Sequence, residues 1–161
     1  MKVKIVSGGQ TGVDQGALEA AKELGLEFGG WAPHGWMAEN GTIPEEFRAA
    51  MREHPDMGSK ANNYRERTKA NVRDSEATLI LTDALPVEGG TKLTRDVAVR
   101  LRRPHQVVAM GEPGAKEEAR KWLLQFEGLE TMVLNVAGPR ESKAPGIQAR
   151  TKAFVLSLLK P

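Results

Sequence analysis

Short apolar runs alternate with amphipathic stretches along the whole chain. Val3–Val6 reads as a strand, and Ser7-Gly8-Gly9-Gln10-Thr11-Gly12 follows it directly. Val13, Ala17, Leu18, Ala21 and Leu24 then recur at the spacing of one helix face, and Gly25 is placed to end that helix. An extended stretch over 27–31 leads into a long irregular region, 32–60, which contains Pro33, Pro44 and Pro55 and one short helical pattern over 44–52. Connections of that length inside a compact domain are usually functional or mobile. A polar helix is predicted over 62–74. The run Ala77-Thr78-Leu79-Ile80-Leu81-Thr82 reads as a buried strand. Beyond it come a helix from Gly89 with Leu93, Val97 and Leu101 on one face, a strand over 106–110, and a helix over 113–126. A strand over 131–136 and a helix over 146–159 complete the chain.

Strand, loop and helix repeat in that order, with helical crossovers between strands. The prediction is a single α/β domain spanning residues 1–161, Rossmann-like and doubly wound, with a mainly parallel sheet covered by helices on both faces. In such sheets ligands bind beyond the carboxyl ends of the strands, so functional residues are expected immediately after each strand.

Composition narrows the partners. Lys plus Arg is 23 and Asp plus Glu is 21, a net charge of +2, too balanced for bulk nucleic-acid binding. The absence of cysteine removes disulfide scaffolds, thiolate metal sites and a cysteine nucleophile. No apolar run approaches the ~20 residues that span a bilayer, and the N-terminus lacks a signal-peptide core. A soluble cytoplasmic protein is expected, with no nucleic-acid or membrane partner. Apolar residues left over on the last helix, Leu156 and Leu159, suggest subunit contacts.

Five segments could carry chemistry. Ser7–Gly12 opens a helix with three glycines among Ser, Gln and Thr, and free amides at a helix start favour an anion such as phosphate. A tight turn is the plainer alternative. Gly89-Gly90-Thr91-Lys92-Leu93-Thr94 repeats the arrangement, where Thr91 could cap the helix or donate to an oxyanion. If both loops lie on neighbouring strands, they face one pocket.

The polar helix offers almost no apolar stripe. Either it is a solvated or subunit-contacting helix, or Arg67, Thr68, Asn71 and Asp74 face a ligand. Trp31 and Trp36 lie in a Gly/Pro-rich loop with His34, where an indole could stack on a heterocycle or plug the sheet. Arg140 lies in the loop over 135–142, and its planar fork suits an oxyanion. Asp14, Glu39 and Asp74 are the carboxylates near these loops. No spacing suggests a protein-bound metal or a nucleophile elbow.

Together the motifs Ser7-Gly-Gly-Gln-Thr-Gly-Val-Asp14, Gly29-Gly-Trp-Ala-Pro33, Ala38-Glu-Asn-Gly41, Tyr64-Arg-Glu-Arg-Thr68, Asn71-Val-Arg-Asp-Ser75, Gly89-Gly-Thr91 and Leu134-Asn-Val-Ala-Gly-Pro-Arg-Glu-Ser142 resemble the molybdenum carrier family. The chain is similar to molybdenum cofactor carrier proteins, within the Rossmann-like group related to the lysine-decarboxylase-like phosphoribohydrolase fold. The resemblance covers nearly the whole chain. It implies a homo-oligomer, dimer or tetramer, that carries molybdenum cofactor as cargo for molybdoenzyme acceptors without turning it over. Carried over, Ser7, Gly8, Gly9, Gln10, Thr11, Gly12, Gly89, Gly90, Thr91 and Thr94 would receive the phosphate. Asp14, Trp31, Arg67, Thr68, Asn71 and Asp74 would line the pocket.

The phosphoribohydrolase relatives carry a Glu where this chain has Thr94, which weighs against hydrolysis. The alternative reading is a nucleotide-binding sensor, or an enzyme that cleaves the N-glycosidic bond of a nucleoside monophosphate with Glu39 or Asp74 as acid.

Overall fold

The computed structural model describes residues 1–161. Its elements in chain order are β1 (Lys2–Val6), α1 (Val13–Glu23), β2 (Glu27–Gly29), β3 (Trp31–Ala32), β4 (Met37–Ala38), β5 (Gly41–Thr42), α2 (Glu45–Arg48), β6 (Arg52–Glu53), α3 (Lys60–Arg73), β7 (Ala77–Thr82), α4 (Gly89–Arg100), β8 (His105–Ala109), α5 (Ala115–Leu124), β9 (Thr131–Ala137) and α6 (Ile147–Leu159). Five strands form one sheet in the order β2-β1-β9-β7-β8, and every neighbouring pair is parallel. This is a Rossmann-like α/β fold.

Alternation along the central strands explains the layering. Ala77, Leu79 and Leu81 of β7 and Met132, Leu134 and Val136 of β9 point into the main core, with Val13, Ala17, Ala20 and Ala21 of α1 and Ile147, Val155 and Leu158 of α6. The intervening side chains turn to the other face, where α3 packs on α4 through Val72, Val97 and Ala98. That second face is the more polar one, and Asn135 donates to Thr78 Oγ1 across it at 3.2 Å. No helix is long and apolar enough to cross a membrane.

Three expectations change. The 32–60 region is not irregular: with Trp31 it folds into four short strands and α2 around a small core of Leu18, Ala32, Ala38, Ile43 and Phe47, with Trp36 packed on it. The predicted helix over 44–52 shrinks to α2, because the chain leaves it to pair Arg52 and Glu53 with Trp31 and Ala32. Leu156 and Leu159 pack against the main core and are not surplus, whereas Leu101 of the predicted α4 face is exposed because it terminates the helix.

Candidate functional site

All the sheet strands end on the same edge, and above that edge lies a crevice of about 560 Å³. It is walled by Gly8, Gln10 and Asp14 after β1, by Arg67, Thr68 and Asn71 of α3, and by the start of α4. Arg140 and Lys143 after β9 complete it, and Asn135 and Thr82 lie beneath. β1 and β7 are not neighbours, since β9 stands between them. The β9 loop is short enough at Gly138 that both glycine-rich loops still open onto one space.

The two loops do opposite things with their amides. In the first, nearly every donor is already satisfied by the chain itself. Gly9 N donates to Ser7 Oγ, Gln10 N to Asp14 Oδ2, Thr11 N to Gln10 Oε1, Gly12 N to Gln148 Oε1 and Val13 N to the Pro139 carbonyl. Asp14 thus takes the place an external anion was expected to fill. Ser7, Gly9, Thr11 and Gly12 do not line the crevice, which corrects the expectation that the whole motif receives phosphate. They form a junction instead. Thr11 Oγ1 donates to Glu39 at 2.7 Å, and Glu39 also accepts from the Ser142 amide and hydroxyl at 3.0 and 2.6 Å. Gly12, at φ +83°, sits so close to the β9 loop that a Cβ would collide with the Pro139 carbonyl.

The second loop has its donors free. The amides of Gly89, Gly90 and Thr91 begin α4 with no acceptor, and no side chain caps them. No heavy atom crowds Gly89 or Gly90. Thr91 is buried in the crevice wall, whereas the Thr94 hydroxyl is spent on the Gly90 carbonyl at 3.0 Å. A helix start with open amides and the positive end of the helix dipole attracts an anion.

The polarity of α3 now has a cause. Ser59 caps it by accepting from Asn62 N at 3.1 Å; its buried face carries Asn63 to hold Met57 N, at 2.6 Å, and Arg67 and Asn71 where it meets the crevice. Arg67 lies flat on Gly8, donating through Nη1 to the Gly8 carbonyl at 2.6 Å, while its Nε is buried with no partner. Gln10 Nε2 is likewise buried and unpartnered. Asn71 touches the crevice, but both ends of its amide hold the Trp31 backbone, at 2.7 and 3.0 Å.

Trp31 and Asp74 do not line the crevice. Pairing of β3 with β6 carries Trp31 onto Arg52 and His54, and its indole N–H donates to Asp74 at 2.8 Å. Asp74 caps the end of α3, still bonded to the Ala70 carbonyl, and Trp31 and Arg73 hold its carboxylate there, one turn beyond Asn71. Hydrogen bonds from Arg73 and then Trp31 hold the Asp74 carboxyl down at about 2. His34 is exposed beside Glu53 at 3.6 Å. Glu39 also lies outside the crevice; its partial burial is outweighed by the hydrogen bonds of Ser142 and Thr11, which hold its carboxyl below the ordinary range.

Asp14 behaves differently. Burial pushes its carboxyl up to about 6, against the pull of Arg67 and the Gln10 amide. Burial also lowers Arg67, with Asp14 opposing that effect. Lys143 and the segment that follows β7 also line the crevice and carry no motif in the sequence, whereas Arg140 and its 135–142 loop do. The rule that ligands bind at the carboxyl ends of strands would have found most of them. No group of three His, Asp or Glu gathers as a metal-ligand set.

These features define a Rossmann-like protein with one built, donor-rich crevice at the carboxyl edge of its sheet. The chain belongs to the circularly permutated YpsA SLOG family, whose model matches residues 5–159. It is 34% identical to a protein from Syntrophus aciditrophicus SB described as a "Putative molybdenum carrier protein". The crystal structure of that protein superposes with a TM-score of 0.84, and the match covers 99% of this chain and 96% of that one. No curated protein matches the chain.

Proposed function

We propose that this protein holds a small, flat, phosphate-bearing molecule without turning it over, and that molybdenum cofactor, a pterin bearing a phosphate, is its cargo. The observation that carries this reading is the set of unused donors around one crevice. These are the three amides at the start of α4, with the cationic side chains of Arg140 and Lys143 on the same crevice. An anion supplies acceptors to those amides and meets the positive end of the helix dipole. A crevice of about 560 Å³ lies in the range of small-molecule and cofactor sites. The name of the Syntrophus protein supports the choice of cargo.

In this reading the α4 amides take the phosphate, and Arg140 and Lys143 add positive charge. The hydrolytic alternative loses the acids first considered for it, because Glu39 and Asp74 lie outside the crevice. It keeps one buried carboxyl, Asp14, whose elevated pKa suits an acid. Mass spectrometry of small molecules that co-purify with the protein tests the cargo. Calorimetry with molybdenum cofactor, GMP and AMP tests the site. Tight binding with the ligand recovered intact supports the carrier. Release of free base from a nucleotide at a catalytic rate would replace it with the hydrolase.

A further inference from the structure

Arg140 is held in place and left unused. Its loop is pinned on both sides. Val13 N donates to the Pro139 carbonyl at 3.1 Å and Lys143 N to the Arg140 carbonyl at 3.0 Å. Glu141 N donates to Thr11 Oγ1 at 3.2 Å and Ser142 N to Glu39 Oε1 at 3.0 Å. The Arg140 guanidinium carbon lies 5.9 Å from the centre of the Tyr64 ring. Its Nε stands 3.8 Å from Glu39, too far for a hydrogen bond, and that carboxylate is already taken by Thr11 and Ser142. The guanidinium thus donates to no group of the chain, yet it lines the crevice and its side chain is 39% exposed. The neighbouring arginines differ: Arg67 is spent on the Gly8 carbonyl and Arg150 pairs with Asp83.

The same contacts fix the side of the crevice that Arg140 occupies. Glu39 is tied to Thr11 and the α3 side chains reach Gly8, both in the loop after β1. α4 follows β7, and β9 separates β7 from β1. Two places for negative charge therefore flank the β9 loop, the open amides of α4 on one side and the unspent guanidinium on the other.

We propose that Arg140 is a second oxyanion seat, so that the ligand of this crevice carries a phosphate for the α4 amides at one end and a further oxyanion for Arg140 at the other. A guanidinium presents a planar fork of N–H donors that matches two oxygens of one oxyanion. Its loop is already ordered, so little backbone freedom is lost when the anion arrives. The inference rests on the phosphate-binding reading above and adds a second charged group to the ligand.

Calorimetry with alkane-α,ω-diol bisphosphates of two to eight carbons, and with the matching alkyl monophosphates, tests it. The ratio of bisphosphate to monophosphate affinity is expected to pass through a maximum at one chain length, on the order of 10-fold or more. Arg140→Gln should bring that ratio close to one at every length, and Arg140→Lys should restore part of it. NMR of the 15N-labelled wild type gives a readout that needs no substitution. The best bisphosphate should shift the Arg140 Nε–H together with the Gly89–Thr91 amides, whereas the monophosphate shifts those amides and leaves the Nε–H in place.

A ratio that is independent of chain length, as added charge alone would give, overturns the second seat while the α4 site stands. A maximum that survives in Arg140→Gln overturns the assignment to Arg140. If neither monophosphates nor bisphosphates shift Gly89–Thr91 at millimolar concentration, the phosphate-binding reading itself fails.

Discussion

Replacing Asp14 with Asn removes a charge that the fold holds at a cost. The Asp14 carboxyl stands at about 6 against an ordinary 3.8, chiefly because it is buried. Each pKa unit is worth 1.36 kcal/mol, so the ionised form costs the folded state about 3 kcal/mol relative to the neutral one. The sign follows from the elevation. The folded state binds this proton more tightly than the unfolded chain, so the contribution is fully present below about pH 4. It is lost as pH rises through about 6.

Asn is neutral at every pH and its Oδ1 still accepts Gln10 N, so Asp14→Asn should match the wild type near pH 4. Above pH 7 it should exceed the wild type by up to about 3 kcal/mol, or ~6–12 °C in Tm for a chain of this size. Urea unfolding followed by tryptophan fluorescence at pH 4, 5, 6, 7 and 8 measures the difference between the two proteins. All other groups titrate alike in both, so that difference isolates residue 14. A difference that does not change with pH, or a variant less stable than the wild type at pH 8, would refute the buried, ionised Asp14.

Two glycine substitutions should behave oppositely. Gly12→Ala forces an L side chain to φ +83° against the Pro139 carbonyl and should lower stability by about 2 kcal/mol or more in thermal melts. Gly90→Ala meets no neighbour, so Tm should hold or rise slightly while calorimetry shows weaker binding of phosphate-bearing ligands. Glu39→Ala removes the acceptor that joins Thr11 to Ser142, and should cost about 2–3 kcal/mol in urea melts. Trp31→Phe loses only the bond to Asp74 and should leave ligand affinity within about twofold by calorimetry, with a stability loss of about 1 kcal/mol.

The parts of the fold that were legible in the sequence are those in which burial dictates residue type over several positions. β7 is covered on both faces, so its six residues read as one apolar run; α1 buries one stripe, so its period shows. β3, β4, β5 and β6 are two residues each and carry no period at all, so the cap they build read as a loop. The position of β9 between β1 and β7 was also invisible, because it is set by pairing between Ile5 and Leu134 and between Ala77 and Leu134, far apart in sequence.

The site divides in the same way. Glycines after strands marked both loops correctly as helix starts. What sequence cannot reveal is which amides remain free. That depends on Asp14 turning back onto Gln10 and on Gln148, Pro139 and Glu39 arriving from elsewhere in the chain. Counting turns places Asp74 with Arg67 and Asn71, but it does not show that the crevice ends at Asn71 and that Trp31 and Arg73 take the Asp74 carboxylate.

The central claim is that the free donors of this crevice, the amides at the start of α4, hold a phosphate-bearing ligand. A titration of the 15N-labelled protein with neopterin monophosphate, followed by amide NMR, tests it most directly. The account predicts that the Gly89, Gly90 and Thr91 amides shift together and saturate together, while Gly9, Thr11 and Gly12 move little because their donors are already bound. Saturable shifts confined to Gly9–Gly12, with Gly89–Thr91 silent, would contradict it.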